Sequence, residues 1–371
     1  MCLPQQGRCK VAPKRRHGRR QPRGNSERET KQTEDTKMNE KTTKQIEEMM
    51  NQTIGVEVEM NNITRAKAAQ IAADFFGTHR HENTAGRNGY CTYSAWDSEG
   101  REWKFQKDVS IHGPDSEKCE LVTPILTYAD METLQELIRR LRKAGAKSDA
   151  TRGCGVHIHI GAKGHTPQSL RNLANIMASH ESLLASALNL DRSRMSRYCR
   201  TVSKDFLVEL NRKKPKTMAA LADTWYGSQN ADYGRSAHYN ESRYHMLNLH
   251  ATFTKGTIEF RLFQFDAPCG DKKNGLHAGQ LKSYIQLCLA LSQLAKQVKT
   301  ASANPQQTEN PKYAMRTWLL RLGFIGDEFK TARELYTKRL EGDTAFRNGR
   351  HDVCTPPQNG GTDAAEPRAA E

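Results

Sequence analysis

Four short segments set acidic or imidazole side chains on alternate positions of an extended pattern, and they constrain the fold more than any other feature of the chain. They are Gly55-Val56-Glu57-Val58-Glu59, Glu120-Leu121-Val122-Thr123-Pro124, Gly155-Val156-His157-Ile158-His159-Ile160-Gly161 and Gly256-Thr257-Ile258-Glu259-Phe260-Arg261-Leu262-Phe263. Successive strand side chains point to opposite faces, so Glu57 and Glu59 share one face while Val56, Val58 and Met60 share the other. The same split separates His157 and His159 from Val156, Ile158 and Ile160. Each strand thus has one oily face and one ligand face. Laid side by side, the strands would merge their ligand faces into one carboxylate-rich wall, with Arg261 set beside Glu259. Carboxylates crowded in this way repel one another unless cations sit among them. The pattern asks for metal ions, and the arginine for phosphate.

Each segment taken alone has a plainer reading. Glu57 and Glu59 can face water, His157 and His159 can be satisfied polar-face histidines, and Glu259 with Arg261 can be a same-face salt bridge. Lys107-Asp108-Val109-Ser110, Glu117 and Glu120, ahead of the Thr-Pro stop, can be an ordinary turn region. The conjunction favours a site. Neutral imidazole is a common metal ligand, but here its companions are carboxylates, which points to Mg²⁺ or Mn²⁺ with one imidazole ligand rather than to zinc. A carboxylate to hold a metal and a guanidinium to grip phosphate oxygens suit phosphoryl transfer. Glycine at 55 permits close approach of backbone or ligand. The chain has no Gly-x-x-x-x-Gly-Lys-Ser/Thr loop, Gly-x-Ser-x-Gly elbow, His-Glu-x-x-His helix or Rossmann glycine fingerprint. A nucleotide would have to be held by a sheet and metals.

Strand-like and helix-like segments alternate through the body. The pattern predicts a strand near Ile54 to Met60 and a helix capped by Thr64 and stopped by Gly77. Tyr90 to Trp96 and Glu102 to Lys107, either side of Asp97-Ser98-Glu99-Gly100, predict a β-hairpin, and Cys119 to Val122 a short strand. Helices are expected at Asp130 to Lys143, closed by Gly145, and for about six turns from Thr166-Pro167. Strands are expected at Arg243 to Ala251 and Thr257 to Phe263, then helices at Leu276 to Val298, Tyr313 to Leu322 and Asp327 to Leu340. Residues 190–240 are rich in Arg, Lys, Tyr and Ser with weak periodicity, and read as a substrate-binding or lid insertion. This grouping argues for an α+β fold, with a curved, largely antiparallel sheet whose concave face carries the ligand residues and helices on the convex one.

The 371 residues suffice to bury a real core. Residues 1–45 carry few large apolar side chains and read as a disordered basic tail. Within them residues 1–37 hold eleven Lys/Arg and four Asp/Glu, so +7 of the formal net charge of +15 sits there. That tail could bind nucleic acid or simply be solvated. Residues 341–371 also read as disordered, which leaves 46–340 as one catalytic domain. The nine cysteines are scattered and never form a Cys-x-x-Cys pair, which argues against both a zinc knuckle and a disulfide framework. With no secretory signal and no apolar run of membrane-spanning length, the expectation is a cytoplasmic protein away from membranes.

The ordered set Gly-x-Glu-x-Glu, Lys-Asp-x-Ser, Glu-Leu-Val-Thr-Pro-Ile-Leu, His-x-His-x-Gly and Glu-x-Arg-x-Phe resembles the amidoligase family over roughly residues 54–330. That family is similar to the ATP-dependent carboxylate–amine ligases, among them glutamine synthetase and glutamate–cysteine ligase. The resemblance implies an antiparallel sheet holding ATP and two or more Mg²⁺ ions. It implies metal ligands at Glu57, Glu59, Glu120, Glu259 and one of His157 or His159, with the imidazole beside ATP. Arg261 would contact the transferred phosphate. Asp108, Ser110 and Asn248 match family positions of less defined role, and Arg197-Tyr198-Cys199-Arg200 resembles a stretch near the acceptor. Val109 stands where the family often has glycine. The implied reaction is amide formation between a small-molecule or peptide carboxylate and an amine through an acyl phosphate. Glu120 and Asp108 are candidates for the base that deprotonates the amine. A guanidino-kinase type of phosphotransferase and a nonenzymatic nucleic-acid binder are the rival readings.

Overall fold

The computed structural model describes residues 40, 42–86, 89–267, 275–305 and 308–347. The expectations for the tails 1–45 and 341–371 fall almost wholly outside these. All elements named below belong to the compact unit that begins at Gln45.

Eight strands form one open, antiparallel sheet. They are β1 (Ile54–Met60), β2 (His81–Asn83), β3 (Tyr93–Trp96), β4 (Glu102–Gln106), β5 (Cys119–Val122), β6 (Val156–Gly161), β7 (Leu247–Asn248) and β8 (Thr257–Phe263), in the order β2-β3-β4-β5-β1-β6-β8-β7. The chain is thus α+β with an antiparallel sheet. The expected hairpin is β3–β4, paired from Tyr93 opposite Phe105 to Trp96 opposite Glu102. Asp97 makes its turn, accepting from the backbone N–H of Glu99 and Arg101, the Arg101 guanidinium and the Trp103 indole.

The oily faces do what the alternation demands. Val56, Val58, Met60, Trp103, Phe105, Leu121, Val156, Ile158, Ile160, Ile258 and Phe260 are all buried in one continuous core. Helices supply its other half: α1 (Arg65–Phe76) packs on β3 and β4, and α8 (Ala278–Gln297) on β6. The Thr64 hydroxyl accepts from Lys67 N–H at the start of α1, and Gly77 ends the helix at φ 73°, a left-handed conformation that glycine adopts without strain. α2 (Met131–Lys143) buries Leu134, Leu137, Ile138 and Leu141 on one stripe. α3 (Pro167–Leu188) starts at the predicted Thr-Pro cap. α8 is buried nearly all round, Ser283, Gln286, Ser292 and Gln293 included, and the reason is its place: it touches the sheet as well as α2, α3 and α10 (Lys330–Thr337). No helix among the described residues is long and apolar enough to cross a membrane.

One local expectation needs correction. Arg243 to Ala251 is not one strand: only Leu247–Asn248 pairs with β8, preceded by a 3₁₀ turn at Glu241–Arg243 and followed by α7 (His250–Lys255). Asn248 interrupts the run. Its side-chain oxygen accepts from His250 N–H at 2.9 Å, an Asx turn that starts the helix. The stretch 190–240 holds α4 (Arg192–Arg197), α5 (Lys204–Lys213) and α6 (Met218–Gly227), with side-chain N-caps at Asp191, Ser203 and Thr217 in turn. α9 (Pro311–Arg321) begins at Asn310 in the same way.

Candidate active site

The antiparallel register aligns the ligand positions across six strands. Gln106 on β4 stands opposite Glu120 on β5, which stands opposite Glu59 on β1. Glu57 is opposite His157 on β6, His159 opposite Glu259 on β8, and Glu259 opposite Asn248 on β7. Residues scattered over two hundred positions thereby become neighbours on one face. A bulge refines this. Between the pairs Val156–Phe263 and Ile158–Phe260, β8 has one residue more than β6, so Arg261 stays on the ligand face while Phe263 turns into the core and stacks on Tyr284 at 4.5 Å.

The contacts are tight. His157 Nδ1 pairs with Glu57 Oε2 at 2.9 Å, and its ring lies 3.8–3.9 Å from Glu259 Oε1 and Glu59 Oε1. His159 Nδ1 pairs with the Thr257 hydroxyl at 3.0 Å, leaving Nε2 3.3 Å from Glu57 Oε1 and 3.8 Å from Glu259 Oε1 with no aligned hydrogen bond. Glu259 is clamped: Arg261 Nη1 donates to Oε1 at 2.5 Å and Asn248 Nδ2 to Oε2 at 2.6 Å. Gly155 N–H donates to Glu59 Oε2 at 2.5 Å, and Gln106 Nε2 to Glu120 Oε2 at 2.8 Å. Asp108 accepts from Ser110 N–H at 2.6 Å in the loop after β4. Val109, where the resemblance led one to expect glycine, is exposed and not among the residues with positive φ, so this turn does not require a glycine there. Glycine at 55 has a different purpose: a side chain there would press on the Cβ of His159, its cross-strand partner, at 3.3 Å.

The electrostatics divide the carboxylates into two groups. Burial pushes Glu120 well above the usual carboxylate range, and the charges of Glu57, Asp108 and Glu59 push it further. Glu59 is also raised by burial, with Asp108 adding and His157 and Arg194 opposing. Burial acts on Glu57 and Glu259 too, but is outweighed: both lie below the usual range, Glu57 through His159 and His157, Glu259 through Arg261 and His159. His159 is raised, since Glu57 and Glu259 overcome its desolvation. Neighbouring groups pushed in opposite directions single this wall out as the candidate site.

The donor set fits divalent cations. Three groups each bring ligand atoms within 4.8 Å of one another: Glu57, His159 and Glu259; Glu57, Glu120 and His157; and Glu59, Asp108 and Glu120. They share Glu57 or Glu120, so the groups run as a chain along the wall. A cation would neutralise the buried like charges and satisfy the unpartnered Nε2 of His159. The oxygen-dominated set suits Mg²⁺ or Mn²⁺. In front of the wall lies a cavity of about 800 Å³, which Arg261 also lines.

A family model described as "Putative amidoligase enzyme" matches residues 50–292. The chain belongs to this family. No curated protein matches it in sequence. Among solved structures, a bifunctional glutathione synthetase from Pasteurella multocida is similar at 12% identity and a TM-score of 0.39, over 80% of this chain and 48% of that one. This chain spans about half the length of that protein, and a likeness so distant carries no inference about the reaction.

The amidoligase site also contains residues that the sequence reading did not select. Lys104 and Gln106 line the cavity, and alternation could have found them, because Trp103 and Phe105 between them are core residues. Arg194 on α4 is only 2% exposed and reaches the backbone oxygens of Gly153, Arg261 and Phe263, with Nη1 3.9 Å from Glu59 Oε2. A faint signal for it exists in Gly153-Cys154-Gly155: a Cβ at Gly155 would lie 2.1 Å from Arg194 Nη1. Tyr90, His238, Tyr239, Arg243 and Tyr244 complete the rim, with no pattern in sequence to reveal them. Of Arg197-Tyr198-Cys199-Arg200, Tyr198 lines the cavity, Cys199 is buried in the core, and the two arginines are exposed. Asn248 is committed to Glu259 and to the α7 turn, so it positions the carboxylate.

Proposed function

We propose that this amidoligase is an ATP- and Mg²⁺-dependent ligase that joins a carboxylate to an amine, on a sheet of the glutamine synthetase and glutamate–cysteine ligase kind. The observation that supports this most is the convergence of Glu57, Glu59, Glu120, His157, His159 and Glu259 with Arg261 on one face of the sheet, beside a large cavity that Glu57, Glu59, Glu120, His157 and Arg261 line, in a chain of the amidoligase family. Bound Mg²⁺ or Mn²⁺ would neutralise phosphate charge and act as Lewis acid. Glu57, Glu259 and His159 would hold one ion; Glu120 with Glu59 and Asp108, or with Glu57 and His157, would hold another.

The chain's own groups do the rest. Arg261, fixed by Glu259, presents its remaining N–H donors to the transferred phosphoryl group. A substrate carboxylate oxygen attacks the γ-phosphorus, the bond to the β-bridging oxygen breaks, and ADP leaves with an acyl phosphate formed. The amine nitrogen then attacks the acyl carbon, loses a proton, and inorganic phosphate departs. With the second ion on Glu120, Glu57 and His157, Asp108 is free to take that proton, since it lines the cavity from the loop after β4 while Glu120 is held between Gln106 and its acidic neighbours.

The test is phosphate release from ATP with Mg²⁺ that requires both an amine and a carboxylate drawn from pooled candidates. Glu259→Gln should lower it by at least about a hundredfold, as expected for loss of a group that organises transition-state charge. A phosphorylated product accumulating with no amide would indicate a phosphotransferase instead, and full turnover in Glu259→Gln would remove the wall from the mechanism.

A further inference from the structure

Among the described residues three arginines line the large cavity, and they are paired differently. Arg261 has Glu259, and Arg194 has three backbone oxygens with Glu59 close by. Arg243 is nine-tenths buried and has no carboxylate partner among the described residues. Its Nη1 donates to His238 O at 2.7 Å, its Nε is buried with no partner, and the rings of Tyr239 and Tyr244 lie 5.6 and 5.8 Å away, near the outer limit of a cation–π contact. A guanidinium cannot shed its charge to escape burial. It is desolvated and undersatisfied, and it faces open space.

That space is a second cavity of about 220 Å³ beside the first, sharing His238, Arg243 and Lys255 with it and bordered by Ser236, Thr254 and Glu259. Lys255 ends α7, exposed and in no ion pair among the described residues. The carboxylate that lines this second cavity among the described residues, Glu259, has one oxygen on the Arg261 guanidinium and the other on the Asn248 amide, so its charge is already matched by Arg261. The two cavities therefore share a basic corner, Arg243 and Lys255, that has no ion-pair partner among the described residues.

We infer that Arg243 and Lys255 form an oxyanion-binding subsite at the junction of the two cavities. Arg243 supplies planar guanidinium donors, Lys255 a mobile ammonium, and the anion replaces the counter-charge that Arg243 lacks. The proposed function enters only in naming the two sources of such a group: a phosphate of the nucleotide, or a carboxylate of an acidic substrate remote from the bond being formed.

The experiment is equilibrium binding to the full chain in Mg²⁺, with inorganic phosphate, ADP and glutarate as probes, for the wild type, Arg243→Gln, Arg243→Lys and Lys255→Gln. Arg243→Gln and Lys255→Gln should each weaken inorganic phosphate by about tenfold, the usual effect of removing a charge-assisted hydrogen bond. Whichever of ADP or glutarate occupies the subsite should weaken in parallel, the other remaining unchanged, and Arg243→Lys should recover part of the loss. Melting temperatures control for misfolding, and Lys255 is too exposed to be needed for folding. Unchanged affinity for all three probes in folded Arg243→Gln and Lys255→Gln, or no binding of any probe to the wild type, overturns the subsite. No turnover is read, so failure of the ligase assay leaves this result standing, and the reverse holds too.

Discussion

Single atoms decide much at this site. Gly155 shows it best: its N–H holds Glu59, and the absence of a side chain leaves room for the Arg194 guanidinium. A flexible arginine on a surface would swing aside from an added methyl. This one cannot do so cheaply, because it would abandon the carbonyls of Gly153, Arg261 and Phe263 while still buried. Gly155→Ala should cost roughly 3 kcal/mol, the upper end of overpacking effects, with the charge left short of partners. In an Arg194→Met background the same substitution should cost much less. Urea unfolding of the four proteins in the cycle measures it, and equal costs in both backgrounds would show that the guanidinium is not the obstacle. Close approach at glycine was legible beforehand at Gly55, but its object was not: the partner there is His159, set by strand register.

At the scale of elements, the joint between α3 and the segment leading to α5 carries a buried acid outside the active site. Glu181 is 3% exposed, accepts from Val202 N–H with both oxygens at 2.9 and 3.1 Å, and burial pushes its carboxyl up to about 7. The folded value lies above the unfolded one, so the protonated form favours folding. Its stabilising effect is complete below the ordinary carboxylate range and is lost as pH rises to about 7. Glu181→Gln keeps the acceptor and removes the titration. The stability of the variant relative to the wild type should therefore grow by on the order of 3 kcal/mol between acid and neutral pH, measured by denaturant unfolding at each pH. A constant difference would refute the buried acid. Element type followed from an apolar face at α1, α2 and α3, and from a capping threonine hydroxyl at the start of α1 and α3. Periodicity misled at Arg243 to Ala251, because Asn248 spends its side chain on the backbone two residues ahead, which turns a strand-like run into a helix start.

At the scale of the whole molecule, metal and fold are linked through the acidic wall. Burial and the neighbouring Glu57, Asp108 and Glu59 charges raise Glu120, so metal-free protein favours its protonated form. The sign follows: without metal, this contribution to stability is present at acid pH and falls as pH climbs through the raised value. A divalent ion needs the ionised carboxylate, so its affinity should rise over the same interval. The melting-temperature gain from millimolar Mg²⁺ should thus increase with pH, vanish with chelator, and rise less steeply with pH in Glu120→Gln. A gain independent of pH in the wild type would break the link between Glu120 and the ion.

The sequence by itself determined which residues would face each other's way. Period-two alternation in Val56 to Met60, Val156 to Gly161 and Thr257 to Phe263 settles which side of each strand is oily, because burying a carboxylate among those valines and isoleucines would cost more than folding returns. It therefore foretold a common wall of Glu57, Glu59, Glu120, His157, His159, Glu259 and Arg261. Only the tertiary structure decided what borders that wall. Tyr90, His238, Tyr239, Arg243 and Tyr244 come from loops, where no hydrogen-bond ladder imposes a period on the side chains. The bulge that keeps Arg261 at the site while sending Phe263 into the core depends on pairing with β6, which a single strand's pattern does not contain. Arg194 reaches the wall only because α4 packs behind two glycines, a contact between parts of the chain whose proximity is created by folding alone.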